Sequence, residues 1–523
     1  MIDAGSGYIK DGNKNRLRHQ DIHKIADTFN AQKEIPHYSR LVPLAEISAN
    51  GCNLNIPRYI TSADSGDAQD LAAHLYGGIP NRDIDALADY WHTFPGIKTA
   101  LFAPIANSDR SRLQVPPEAI KPTLYQSPAY TAFTSAVAAP FATWRQNNGL
   151  AQIRTGDHPK TLIHQLGESL LAAYTNTPLT DPYDIYQILM DYSDNTLTDD
   201  LYLISRYGWD EAKKLDTVAK GGEWEIEVGK TRYRSDLIPA ALLTAQYFAV
   251  EQAAIDTLAA QLEQKEQESD SLLEEYGGNE GILSEAGNTT ENEQMLMDYY
   301  LLACRHSNPG AYENYVQKEK MLANAEENKK KLIKEPFFQL LKNAKGKITQ
   351  AAVKAFIKNA DVTDAHHAQT YLDIEQKISS GKKEIKALLQ TMHDEIKLLQ
   401  NSNEPFECQQ EIEITEQYMT LLEEQKQLKG SLKTQTAALH QKLYQKYAAL
   451  TEAEIQTLLV EHKWHAAIRR SIEAQSARTV QQFADRIATL AERYAQPLGE
   501  LERETERLDG IVKNHLKALG LEN

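Results

Sequence analysis

Residues 371–400 read YLDIEQKISSGKKEIKALLQTMHDEIKLLQ, and residues 414–443 read ITEQYMTLLEEQKQLKGSLKTQTAALHQKL. In the first stretch Tyr371, Ile374, Ile378, Ile385, Leu388, Met392 and Leu399 recur at steps of three, four or seven, with Gly381 and Glu395 in the two remaining seam positions. In the second, Ile414, Tyr418, Leu421, Leu428, Leu432 and Leu439 do the same, with Gln425 and Gln435 in the gaps. Both are heptad patterns, the spacing that keeps one apolar seam on one helix face. Asn401-Ser402-Asn403-Glu404-Pro405 lies between them and cannot continue a helix. The spacing predicts an antiparallel coiled-coil hairpin over 371–443, each arm of about 30 residues reaching about 45 Å. Such a hairpin either projects a stripe on which a partner helix packs, or satisfies itself arm against arm. The pattern alone leaves both open.

Working outward, Thr451-Glu452-Ala453-Glu454 has the form of a capping box and predicts a helix start. Phe483, Ile487, Leu490, Tyr494, Leu498, Leu501, Leu508, Val512 and Leu519 form a last apolar stripe in a C-terminal helical region, 451–523. Residues 251–275 read as another helix, within a helical connector over 251–370. The first 250 residues differ in chemistry, holding 15 of the 19 prolines and 4 of the 5 tryptophans. Proline interrupts helices and marks turns, so this part is expected to be compact and loop-rich. Helical spacing recurs over 20–30, 83–91, 162–174 and 184–192. At 223–235, Trp224, Ile226 and Val228 alternate with Glu225 and Glu227, and Gly229-Lys230 supplies a turn, which is a β-hairpin signal. The expected fold is therefore mainly α: a loop-rich α region with a small β-hairpin, then long helices with an antiparallel coiled-coil hairpin.

At 523 residues the chain has length for three or four folding units. Its 56 basic and 73 acidic residues give a net charge of −17, against a wholly basic nucleic-acid binder but compatible with a local basic patch. The three cysteines (Cys52, Cys304, Cys408) lie far apart, which excludes a disulfide scaffold or a cysteine-rich zinc module and fits a reducing cytoplasm. No apolar run reaches the ~18 residues of a membrane span, and the first residues carry no signal-peptide pattern.

The candidate chemical motifs are incomplete. Gly5-Ser6-Gly7 has Lys10 where a dinucleotide fingerprint needs its third glycine, so it reads as a turn. Gly229-Lys230-Thr231 has Trp224 where a phosphate loop needs glycine. His19 and His23 have metal-ligand spacing without an evident third ligand, and no metal is expected. No G-x-S-x-G elbow is present. Arg16, Arg18, Lys24 and Arg40 make residues 10–40 mildly basic. They read either as contacts to a DNA backbone or as a solvated mixed-charge face.

Asn53-Leu54-Asn55-Ile56-Pro57-Arg58-Tyr59-Ile60, preceded by Tyr38-Ser39-Arg40-Leu41-Val42-Pro43-Leu44, resembles the modification subunit of type I restriction-modification systems. Asn53, Asn55, Pro57, Arg58 and Tyr59 carry the signature. Gly78-Ile79-Pro80-Asn81-Arg82-Asp83, Asp181-Pro182-Tyr183-Asp184-Ile185-Tyr186 and Leu450-Thr451-Glu452-Ala453-Glu454 with Lys463-Trp464 are similar to a long-tailed branch of that family.

The resemblance implies N6-adenine methylation of DNA with S-adenosylmethionine, by a complex with specificity and restriction subunits. Residues 1–60 would be the trailing edge of a methyltransferase domain, followed by a compact, mostly helical region over 61–250. The family's F-x-G-x-G turn and its Asn-Pro-Pro-aromatic tetrapeptide are absent from these 523 residues, since Asp181-Pro182-Tyr183 lacks the second proline. No catalytic residue is therefore carried over, and no cofactor is expected for this chain alone. The chain is expected to be the C-terminal portion of such a subunit, from a truncated or split reading frame. Its partners would be the specificity and restriction subunits, with DNA reached through the complex and no membrane. The alternatives are half of a split methyltransferase completed by an upstream polypeptide, and an unrelated coiled-coil scaffold.

Overall fold

The computed structural model describes residues 1–5, 7–61, 69–279, 281–343, 346–402 and 405–521. Ser6 of the first turn, and Asn403 and Glu404 of the break between the heptad runs, lie outside the described residues. The fold is mainly α with small antiparallel sheets. The chain forms two compact units, one of residues 1–249 with 440–523, the other of residues 250–439. Among the described residues no helix is long and apolar enough to cross a membrane.

In the first unit, the N-terminal strand Ile9–Asp11 pairs with Lys14–Arg16 around Gly12, whose φ of +60° suits the turn. Helix His19–Asn30 follows. It is capped by the Asp21 carboxylate, which accepts from the Arg18 backbone N–H at 2.8 Å. Residues 1–3 run antiparallel to 38–40, with the Asp3 N–H donating to the Tyr38 carbonyl at 2.7 Å.

The body of this unit is built on helices Pro128–Asn147, Pro159–Tyr174, Pro182–Tyr192, Thr198–Tyr207 and Ala466–Arg493. Two of them begin where proline follows a side-chain cap: Ser127 accepts from Tyr130 N–H at 3.1 Å, and Asp181 from Tyr183 N–H at 2.9 Å. Helices Pro159–Tyr174 and Pro182–Tyr192 pack closely because residue 167 is glycine, where a Cβ would lie 2.7 Å from the Tyr186 ring. Leu170, Tyr174, Ile185, Leu189, Leu201, Trp464 and Ile468 fill the core. Inside it, Asp200 is 3% exposed and accepts from Lys463 Nζ and Trp464 Nε1, both at 2.7 Å. Lys463 and Trp464 lie within the π-helical segment Thr457–His465, and the π-helical segment Ser193–Leu197 precedes Asp200.

The hairpin at 223–235 forms as Ile226–Val228 against Thr231–Arg234, with Ile226 buried and Gly229 at φ +66° in the turn. A third strand, Asp216–Thr217, joins it. The helical spacing at 83–91 resolves into two short helices, Asn81–Asp85 and Ala88–Thr93. The capping box at Thr451 is made in both directions: its Oγ1 accepts from Glu454 N–H, and the Glu454 carboxylate accepts from Thr451 N–H at 2.9 Å.

The second unit holds Ala249–Tyr276 from residue 250 onward, Thr289–Ser307, Pro309–Leu332, Gln350–Ile357, Val362–Ser402 and most of Gln409–Ala449. Near the break, the two heptad helices meet: Met392 and Ile396 share a cluster with Ile412 and with Tyr300, Ala303 and Cys304 of Thr289–Ser307. Lys397 Nζ donates to Glu416 across the same contact at 2.6 Å. Away from the break each seam has other neighbours. Tyr371 packs on Phe337, Phe338 and Val353, and Glu384 and Lys382 of the same helix pair with Lys318 and Glu326 of the neighbouring helix Pro309–Leu332. Ile414 and Tyr418 pack on Leu283 and Met295, while Gln425 donates to Ser269 Oγ at 2.7 Å. The seam residues thus serve a multi-helix packing as well as the contact between the two arms.

Candidate assembly site

The signature segment closes on itself. The Tyr59 hydroxyl donates to the Asn53 carbonyl at 2.6 Å, and Asn53 Oδ1 accepts from the Asn55 N–H at 2.9 Å. Pro57 sits in the short 3-10 turn Ile56–Arg58, where its missing N–H costs nothing. Tyr59 and Ile60 are buried. Arg58 is exposed and makes no ion pair among the described residues.

The four cations singled out in the sequence each lie beside a carboxylate. Arg18 forks onto Asp21 at 2.9 and 3.0 Å, and Arg40 onto Glu46 at 2.9 Å through both nitrogens. Lys24 Nζ donates to Asp181 at 3.0 Å, and Arg16 lies 3.6 Å from Asp11. Burial works against ionising Asp21, but its hydrogen bonds from Arg18 outweigh that and hold its pKa below the usual carboxylate range. A phosphate reaching Arg18 or Arg40 would have to displace a bidentate carboxylate.

Helix His19–Asn30 is held on the body by a polar face. The Gln20 N–H donates to Gln187 Oε1 at 2.9 Å, and Gln20 Nε2 to Asp184 at 2.8 Å. His23 lies between Asp27, at 3.3 Å, and Glu168, at 2.7 Å, with its ring edge-on to Tyr186. His19 is 3.0 Å from Asp194. The Tyr183 hydroxyl donates to Asp27 at 2.9 Å; burial, then that carboxylate, push its pKa well above the ordinary phenol value. Sequence reasoning did not find this face, because its partners lie more than 140 residues apart and obey no apolar period.

The last apolar stripe divides at Ala495-Gln496-Pro497. Its first half is core: Phe483 stacks on Tyr90 with centroids 4.3 Å apart, and Ile487, Leu490 and Tyr494 are buried. Its second half is the helix Leu498–Ala518, which has no buried residue. Leu498, Leu501, Leu508, Val512 and Leu516 are all 40% or more exposed. The start of this helix touches the short helix Leu71–Tyr76, itself carrying exposed Leu71 and Tyr76.

The N-terminal residues also match known proteins. Residues 1–68 match the model of the N-6 DNA methylase family. The chain is 26% identical over 89 residues to the type I restriction enzyme MpnII methylase subunit of Mycoplasma pneumoniae. The N-terminal end is thus similar to a type I methylase subunit. The match covers 17% of this chain and 15% of that subunit's length. No solved structure matches the chain. The signature segment and the four cations all lie within residues 1–68.

The methylase likeness of residues 1–68 would imply S-adenosylmethionine as the methyl donor. The space beside Gly7 does not fit the donor's carboxylate: it is filled by Asp21, whose Oδ1 would lie 2.9 Å from an added Cβ. A second carboxylate there would meet like charge.

Proposed function

We propose that this chain is the assembly region of a type I modification subunit, docking on the helical spacer of the specificity subunit through the helix Leu498–Ala518. The observation that carries this reading is the exposed apolar stripe of that helix, in continuation of the buried half of the same stripe. Apolar residues at helical spacing on an otherwise charged helix are anchors for a partner helix or groove. A coiled-coil surface over 371–443 offers a second docking stripe in the same reading. The activity served is N6-adenine methylation of DNA with S-adenosylmethionine, in company with a restriction subunit. The donor pocket and the Asn-Pro-Pro-aromatic tetrapeptide come from outside these 523 residues, and DNA is reached through the complex.

Co-expression with a soluble specificity subunit tests this. The wild-type chain is expected to co-purify at a fixed ratio, and L501E/L508E to lose at least ten-fold of the retained partner with unchanged circular dichroism. Absence of wild-type co-purification overturns the proposal.

A second reading, half of a split methyltransferase, is favoured by the match of residues 1–68 to the methylase model together with their docking on the body. Calorimetry separates the two. A silent assembly region binds no S-adenosylmethionine itself and leaves unchanged whatever binding a polypeptide bearing F-x-G-x-G and N-P-P-F shows alone. A split enzyme gains 1:1 micromolar binding on that addition.

A further inference from the structure

The chain carries a net charge of −17, yet residues 329–358 hold nine lysines and one acidic residue, Glu335. Part of this segment belongs to a small folded element. Phe337, Phe338 and Val353 form a core with Ala368 and Tyr371, and Phe356 and Ile357 pack against it. The apolar side of helix Gln350–Ile357 is thereby consumed, and Lys354 and Lys358 are left exposed. Between this helix and Val362–Ser402 runs a groove of about 810 Å³. Lys354, Lys358 and Lys383 line it with Gln376, Ser379 and Ser380. None of the three lysines makes an ion pair among the described residues, unlike Lys318, Lys329 and Lys382 nearby, which are taken by Glu384, Glu375 and Glu326. Asp373 also lines the groove, and it accepts from Gln369 Nε2 at 2.9 Å.

We propose that this lysine-lined groove between helices Gln350–Ile357 and Val362–Ser402 binds the phosphate backbone of duplex nucleic acid without reading its sequence. Unpaired lysines are point charges that neutralise phosphates and release counterions. Neutral amide and hydroxyl donors beside them match phosphate oxygens, which take such contacts in register-setting, sequence-independent recognition. An anionic bilayer would need a free apolar face beneath the lysines, and the core already occupies that face. An acidic peptide would need apolar anchors in the groove, which is lined mainly by lysine, glutamine and serine. The four N-terminal cations beside carboxylates contrast with these three, and the inference is independent of docking on a specificity subunit.

The test is fluorescence anisotropy of the full chain with a labelled 30-base-pair duplex of arbitrary sequence, titrated between 50 and 200 mM salt. The wild-type chain is expected to bind at low salt. K354Q/K358Q/K383Q is expected to lower the slope of log K against log[salt] by about 2.7, three contacts at about 0.9 each. The arginine variant K354R/K358R/K383R is expected to keep the wild-type slope. Three results would overturn the proposal: no wild-type binding at 50 mM salt, an unchanged slope in the glutamine variant, or tighter binding to phosphatidylserine vesicles than to the duplex. Co-purification of the glutamine variant with a specificity subunit is expected to be normal, so the two proposals fail separately.

Discussion

Tyr183 hands its hydroxyl hydrogen to Asp27 across 156 residues of sequence, at 2.9 Å. This bond joins the methylase-like N-terminal segment to the helical body, alongside Lys24–Asp181 and His23–Glu168. The seat is polar and half-buried, so its strength lies in hydrogen bonds to charged groups more than in area removed from water.

Y183F therefore leaves Asp27 short of a donor at a half-buried site. The expected cost is about 1.5–3 kcal/mol, the range for a hydrogen bond to a charged group. Hydrogen exchange should show faster opening of residues 19–30, with the amides of Pro159–Tyr174 unchanged. Equal protection of residues 19–30 in Y183F and wild type would remove the seat's role.

The two halves of the C-terminal stripe should respond oppositely. F483A opens a cavity beside Tyr90, Trp91 and Phe94 and should cost about 3–5 kcal/mol in urea unfolding. L508E should change stability by less than about 0.5 kcal/mol, as surface substitutions do.

Lys463 and Asp200 form a buried pair in which burial raises the Asp200 pKa and Lys463 opposes it. K463M strands a carboxylate inside the core and should destabilise by about 3–5 kcal/mol, whereas D200L/K463M should recover most of that loss. Trp464, bonded to the same carboxylate, gives the fluorescence readout.

Glu454 accepts from Lys446 at 2.6 Å, from Thr451 N–H at 2.9 Å and from the Tyr247 hydroxyl at 3.1 Å. Hydrogen bonds from Lys446 and Thr451 lower its pKa to about 2. A depressed folded pKa gives stability that is present above the unfolded value, about 4.3, and is lost as pH falls toward 2. E454Q should therefore flatten the acid limb of a stability profile between those values and leave the neutral region nearly parallel to wild type.

Thiol titration should rank the cysteines. Cys52 is exposed, whereas burial pushes the thiols of Cys304 and Cys408 up to about 11. At pH 7.5 one thiol per native chain should react quickly, and C52S should abolish that fast phase.

Local signals in the sequence are the most legible. The Thr451 capping box, the Gly229 turn and the helix over 184–192 depend on residues a few positions apart, and backbone chemistry decides them. The stripe over 483–519 is continuous in spacing, yet Pro497 breaks the helix and sends one half into the core. The heptad seams specify a face and not its neighbour, so the packing of Tyr371 on Phe338 and of Tyr418 near Leu283 had no local signal. For the candidate site, the partners of Arg16, Arg18 and Arg40 lie within six residues and were visible as sequence neighbours. Lys24's partner Asp181, and the whole seat of helix His19–Asn30, were not, because polar complementarity leaves no period. The basic segment 329–358 was diluted by the acidic average of its half of the chain.

The Tyr186 ring ties two of these features together. Its Cε2 leaves no room for a methyl at Gly167, and the same ring receives the edge of His23, 4.6 Å away between centroids. One methyl group at position 167 would act as a wedge: G167A would shove the phenol against the imidazole and loosen the grip on the N-terminal segment from behind. Held protection of residues 19–30 in G167A would show that the phenol yields elsewhere.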